Sequence, residues 1–113
     1  MTEVRFTDPK TGGQKGQKLE RYESIPVWPL SEVARVYGYG SDKYERGNFL
    51  KGYPWSLTID ALFRHLFAWL AGESWDKESK RHHLACVVFH AFALMQFERS
   101  GTGTDDRMYK ESA

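Results

Sequence analysis

Three carboxylates stand close together in Glu73-Ser-Trp-Asp76-Lys-Glu78. Acidic side chains grouped where one helix gives way to another can hold a hard divalent cation, which prefers oxygen ligands and keeps several waters. Such a cation neutralises phosphate oxygens and activates water, which is what hydrolysis of a phosphoric anhydride needs. The plainer reading of the same residues is a solvated turn whose charges favour the start of the next helix. A second group is His65 with His83, Cys86 and His90. Buried imidazoles serve as bases or metal ligands, or simply as satisfied core residues beside an inert thiol. The spacing fits no familiar zinc pattern.

Two further stretches carry chemistry. Gly12-Gly-Gln-Lys15-Gly-Gln-Lys18-Leu-Glu-Arg21 mixes glycines with cations. Backbone N–H groups and basic side chains in such a run can cradle phosphates, although the order is not that of a P-loop. Gly38 to Phe49 interleaves aromatics with Lys43 and Asn48. Tyr44 and Phe49 suit stacking on a nucleobase, and the Asn48 amide suits reading its edge. The alternative is a turn packed by its own rings.

The elements that must position these residues are helical. Ser31 to Tyr37 reads as a first helix with Val33, Val36 and Tyr37 on one face, followed by a short extra turn at Ser41 to Tyr44. Pro26 and Pro29 predict an extended lead-in, because the residue before a proline avoids the helical region. Ser56 to Gly72 reads as a second helix, with Ile59, Leu62, Phe63, Leu66 and Leu70 at the spacing of one buried stripe. Asp60 and Arg64 stand four residues apart, the spacing of a surface ion pair. Ser79 to Arg99 reads as a third helix, apolar nearly all round from Leu84 to Phe97 and therefore central. The short link between the second and third helices predicts that they run antiparallel, with His65 level with Cys86. A first helix returning beside the second would bring Glu32 to Glu73 and Asp76. The expected fold class is all-α: three main helices plus a short turn, completed by oligomerisation. The expected organisation is a basic Gly-rich arm over 1–24, a helical catalytic region over 25–100 and a mobile polar tail over 101–113.

Composition bounds the rest. The chain has 113 residues, 41% hydrophobic and 15% aromatic, enough for one domain with a modest core. A net charge of +1 disfavours a nucleic-acid polymer as partner. One cysteine excludes an intrachain disulfide and suits a reducing cytoplasm. Neither an apolar leader nor a run of about 20 apolar residues is present in the sequence, so no membrane is expected.

In order along the chain, Gly-Gly-Gln-Lys-Gly-Gln-Lys with Arg21-Tyr22, Ile25-Pro26, Ala34-Arg35-Val36-Tyr37-Gly38-Tyr39-Gly40, Lys43-Tyr44, Gly47-Asn48-Phe49, Arg64-His65, Gly72-Glu73 with Asp76, Glu78 and Ser79, His83-Leu84-Ala85, His90 and Asp105-Asp106-Arg107 resemble the phage and bacterial dATP/dGTP diphosphohydrolase N-terminal family, a relative of the MazG-like all-α pyrophosphohydrolases. The resemblance spans about residues 12–107. Cys86 stands where the family carries His, and Phe49 where it carries Trp. The resemblance implies removal of pyrophosphate from dGTP or dATP with Mg²⁺ or Mn²⁺, in a cytoplasm that is the host's if the gene is a phage's. It implies metal binding by Glu73, Asp76 and Glu78, phosphate binding by Lys15, Lys18 and Arg21, and nucleotide contacts from Lys43, Asn48 and Arg64. The combined expectation places catalysis on Glu73, Asp76 and His65, adds Glu32 to the metal set, and gives His83 and His90 supporting roles. A nucleotide sensor without catalysis and an accessory interaction protein are the alternatives.

Overall fold

A computed structural model describes residues 4–111. Two strands, β1 (Val4–Thr7) and β2 (Gln14–Gln17), precede three helices, α1 (Val27–Lys43), α2 (Trp55–Leu70) and α3 (His83–Ser100), with 3-10 turns at Tyr22–Ser24 and Asn48–Lys51. The fold is therefore mostly helical but not purely all-α. The strands form an antiparallel hairpin in which Val4 faces Gln17 and Phe6 faces Lys15. Its loop closes on Asp8, whose Oδ1 accepts from the N–H groups of Lys10 and Thr11. Gly12 takes φ +77° there, in the left-handed region that glycine enters without cost. Val4 and Phe6 alternate with Arg5 and Thr7, a strand period too short to stand out against the polar residues around it.

α1 begins at Val27, four residues before the expected Ser31, and runs unbroken to Lys43. Pro29 does not delay it, because a proline in the first turn removes only an N–H that has no intrahelical acceptor. Gly38 and Gly40 do not interrupt it either. Val33 and Val36 anchor the helix against Ala85 and Cys86 of α3, and the Tyr44 N–H closes the last turn on the Gly40 carbonyl. α2 starts one residue before Ser56. Its first-turn donors are met by the segment after α3: Trp55 N–H bonds Thr104 O, and Ser56 gives both its N–H and its hydroxyl to the Asp106 carboxylate. Residues 102–107 are thus docked rather than a mobile tail, and Arg107 lies over the Trp55 ring. Gly103 makes this possible. It has φ +75°, and a Cβ there would stand 2.4 Å from Tyr53 O.

α3 starts at His83, not Ser79. His82 caps it by accepting the Leu84 N–H on Nδ1, and Gly101 at φ +67° ends it. α3 is the central helix. Its residues join one core with Val33 and Val36, and a second with Trp55, Ala93 and Phe97. α2 crosses it antiparallel, since Thr58 meets His90 and His65 meets His83. α1 packs on α3 rather than returning beside α2, which leaves a cleft between α1 and α2. The radius of gyration is 18.6 Å, against about 13 Å for a compact chain of this length. No helix among the described residues is long and apolar enough to cross a membrane.

Candidate functional site

The cleft encloses about 910 Å³ with α3 as its floor, a size suited to a small-molecule ligand. Most residues singled out by their chemistry converge on it: Lys43, Tyr44, Asn48, Phe49, Arg64, His65, Glu73, Asp76, Glu78, His83 and His90. Lys15, Lys18, Arg21 and Glu32 do not line it. Glu32 is 5% exposed and pairs with Arg35 on the next turn. It is not part of the group of metal-competent side chains found among the described residues, which is His65, Asp76 and His83. Lys15 belongs to β2, where its ammonium donates to Gly16 O.

One end of the cleft is polar. The α2–α3 connection is a tight hairpin, with Trp75 paired to His82, Asp76 N–H bonded to Arg81 O and His83 N–H to Ser74 O. Lys80 takes φ +63° at its tip. The hairpin brings Asp76 under the start of α3, and Asp76 Oδ2 accepts from the Ser79 N–H at 2.9 Å and hydroxyl at 2.7 Å. Burial alone would raise this carboxyl, but the two Ser79 bonds and the nearby His65 and His83 outweigh it. Asp76 is held below its ordinary value and is charged at neutral pH. His65 and His83 face each other with their Nδ1 atoms 2.8 Å apart. One ligand atom from each of His65, Asp76 and His83 lies within 4.8 Å of the others. Burial lowers His65, so it is neutral at pH 7. His83 is 4% exposed, and its Nε2 lies 3.4 Å from Glu73 Oε1 but makes no hydrogen bond.

Supporting groups surround this centre. His90 stacks on His65 at 5.9 Å between ring centroids and bonds Thr58 through Nδ1. Burial pushes His90 down to about 4, so it too is neutral. Cys86 is pushed up to about 11, chiefly by burial, and remains a thiol. Glu78 stands at the rim. It bonds Lys43 at 2.9 Å and Tyr39 at 3.3 Å, joining the connection to α1 across the cleft mouth. Lys43 is the main cause of Glu78 lying below its ordinary value. Arg64 is exposed, lines the cleft and forms no ion pair with Asp60 among the described residues.

The other end is aromatic. Tyr37, Phe49 and Phe89 meet edge to face, with centroids 4.8–5.9 Å apart. Phe49 is therefore largely engaged with its neighbours, while Tyr44 remains 65% exposed beneath the Lys43 ammonium. Asn48 opens the 3-10 turn between them. Sequence reasoning missed Thr58, Tyr39 and Lys77 as wall residues. Thr58 was findable, since it lies seven residues before His65 and so on the same helix face.

No curated protein and no solved structure is detectably similar to the chain. Residues 9–107 match the family described as dATP/dGTP diphosphohydrolase, N-terminal. That span holds the whole cleft and covers most of the molecule, and the chain belongs to this family.

Proposed function

We propose that the cleft adds water across the α–β anhydride of a purine deoxynucleoside triphosphate, dGTP or dATP, releasing the monophosphate and pyrophosphate with help from a divalent cation. The observation that carries this reading is the pairing of a charged and imidazole-rich end with an aromatic end inside one cleft. Tyr44 and Asn48 take the base, with Phe49 setting the wall behind it. Arg64, Lys43 and Lys77 meet the phosphates, Arg64 with a planar fork suited to two phosphate oxygens. The donors at the polar end, two imidazoles and an ionised carboxylate, fit a divalent cation. Such an ion, when bound, supplies charge to the phosphate oxygens and acidifies water. Glu73 presents one oxygen to His83, leaving the other to take the proton of the attacking water. The helical floor and the rim bridge from Glu78 to Lys43 restrict solvent access.

The test is an assay of the full chain with dGTP, dATP and the four ribonucleotides, with Mg²⁺ or Mn²⁺. The expected result is equimolar monophosphate and pyrophosphate, without free phosphate, from a purine deoxynucleotide. A nucleotide-dependent rise in melting temperature without pyrophosphate would replace the enzyme by a sensor. The absence of both would remove nucleotides from the account.

We also propose that the working form is a homo-oligomer in a cytoplasm. Phe63, Phe67 and Leu70 form an apolar stripe on the outer side of α2, with exposures of 48%, 59% and 71%. Val4 and Phe6 are exposed on one hairpin face, and a two-stranded hairpin is marginal in water by itself. Grouped apolar side chains of this kind offer contact faces to a second copy. In such an assembly Lys15, Lys18 and Arg21 act on the phosphates of a neighbouring copy. Light scattering of the full chain is expected to give a mass at least twice 13.1 kDa, and a 13.1 kDa species alone at micromolar concentration would reject the assembly.

A further inference from the structure

We infer that His65, Asp76 and His83 form a binding site for a divalent transition-metal cation of the Mn²⁺ or Zn²⁺ class, selective against Mg²⁺. The inference deepens the proposed function by naming the ion and its ligands. It moves the metal away from the carboxylate set Glu32, Glu73, Asp76 and Glu78 that the sequence suggested.

The first argument is the convergence of donors. Two imidazole nitrogens face each other at 2.8 Å, and an Asp76 oxygen completes a group whose atoms all lie within 4.8 Å. Ligands bonded at about 2.1 Å to one ion lie about 3.0–3.4 Å apart for bond angles of 90–110°. The histidine pair needs to open by only a few tenths of an ångström to admit the ion. The second argument is the far side of His83. This side chain is buried, and Nε2 has no hydrogen-bond partner, while Glu73 Oε1 stands 3.4 Å away. A proton on Nε2 directed at Glu73 leaves Nδ1 with its lone pair towards His65 and Asp76. Metal-binding histidines characteristically direct their second nitrogen to a carboxylate in this way. Glu73 is thus a positioning residue for His83, and the stacked His90 holds the plane of the His65 ring.

Donor type decides the ion. Mg²⁺ takes oxygen ligands and gives up water reluctantly. Two imidazoles with one carboxylate suit first-row transition ions that keep open positions for water or phosphate. Glu78 contributes least to such a site, since its carboxylate is committed to Lys43 and Tyr39 at the rim.

The experiment is calorimetric titration of the full chain, without nucleotide, with Mn²⁺, Zn²⁺ and Mg²⁺, together with pulsed electron paramagnetic resonance of the Mn²⁺ complex. The expected result is one ion per chain, Mn²⁺ and Zn²⁺ binding at least about 100-fold more tightly than Mg²⁺, and nitrogen-14 couplings from directly bound imidazole. His83→Gln is expected to lose at least about tenfold in Mn²⁺ affinity while keeping the helical circular dichroism, whereas Asp60→Asn, outside the cleft, keeps the affinity. Equal Mg²⁺ and Mn²⁺ affinity, or a Mn²⁺ spectrum without nitrogen coupling, would overturn the site, and the spectrum requires no variant. Nitrogen-coupled Mn²⁺ without pyrophosphate release would keep the site and sink the enzymatic reading. Pyrophosphate release with Mg²⁺ and no nitrogen coupling would do the reverse.

Discussion

Replacing Asp76 by asparagine is expected to lower pyrophosphate release at least about 1,000-fold, a barrier increase of about 4 kcal/mol. The substitution keeps an oxygen that accepts from the Ser79 N–H and hydroxyl, so the hairpin of the α2–α3 connection is retained. What disappears is the negative charge that the Ser79 bonds and the two neighbouring histidines stabilise. In the proposed mechanism that charge holds the cation which balances the triphosphate, so its loss falls mainly on turnover. The checks are single-turnover pyrophosphate release at saturating dGTP or dATP and circular dichroism of the same sample. A folded Asp76→Asn protein with turnover within threefold of the parent would clear Asp76 of a role in catalysis.

The helices were legible wherever apolar spacing was long. The course of α2 and the apolar span of α3 both stand close to where periodicity put them. Of the expected buried stripe on α2, however, Phe63 and Leu70 are exposed, 48% and 71%, because they turn to the outer side of the helix. The ends were not legible, because they are set by partners far away in the chain. α2 is capped by Asp106, fifty residues on, and a serine at the expected position merely donates to it. The first helix was misjudged by reading Pro29 as a breaker, where first-turn chemistry makes it neutral. The N-terminal hairpin was missed for a different reason. Only Val4 and Phe6 carry the two-residue alternation, and four residues per strand give it no length.

The site shows the same division between residue type and arrangement. Four residues singled out by type, Glu73, Asp76, His65 and His83, do stand together. Acidic density, however, favoured a carboxylate cluster, and the structure instead sets two imidazoles against a single aspartate. The difference lies in the link after Gly72. A sequence reader takes Ser79 to Arg81 as the opening of α3, which would carry Asp76 to a helix start. The chain instead folds Trp75 against His82, and this backward turn delivers Asp76 to the histidines. Nothing in the spacing of single residues encodes that pairing.

Replacing Phe97 by alanine is expected to cost about 3–5 kcal/mol, because deleting a fully buried aromatic leaves a cavity that a packed core fills only in part. Phe97 is 0% exposed, sits in one core cluster with Trp55 and Ala93, and meets the Tyr53 ring edge-on at 5.2 Å. Its carbonyl also receives the Thr102 N–H, which ties the segment carrying Asp106 to the end of α3. Domains of this size have about 5–15 kcal/mol of stability in total, so a loss of this size removes much of it. The urea midpoint at fixed protein concentration is expected to fall sharply with the slope unchanged. The aromatic end of the cleft should feel this as well, since Tyr53 lines the cleft and packs against the same cluster. A midpoint shift equivalent to less than about 1 kcal/mol would mean that the void closes by collapse. The packing of α2 on α3, and with it the floor of the cleft, would then not depend on this ring.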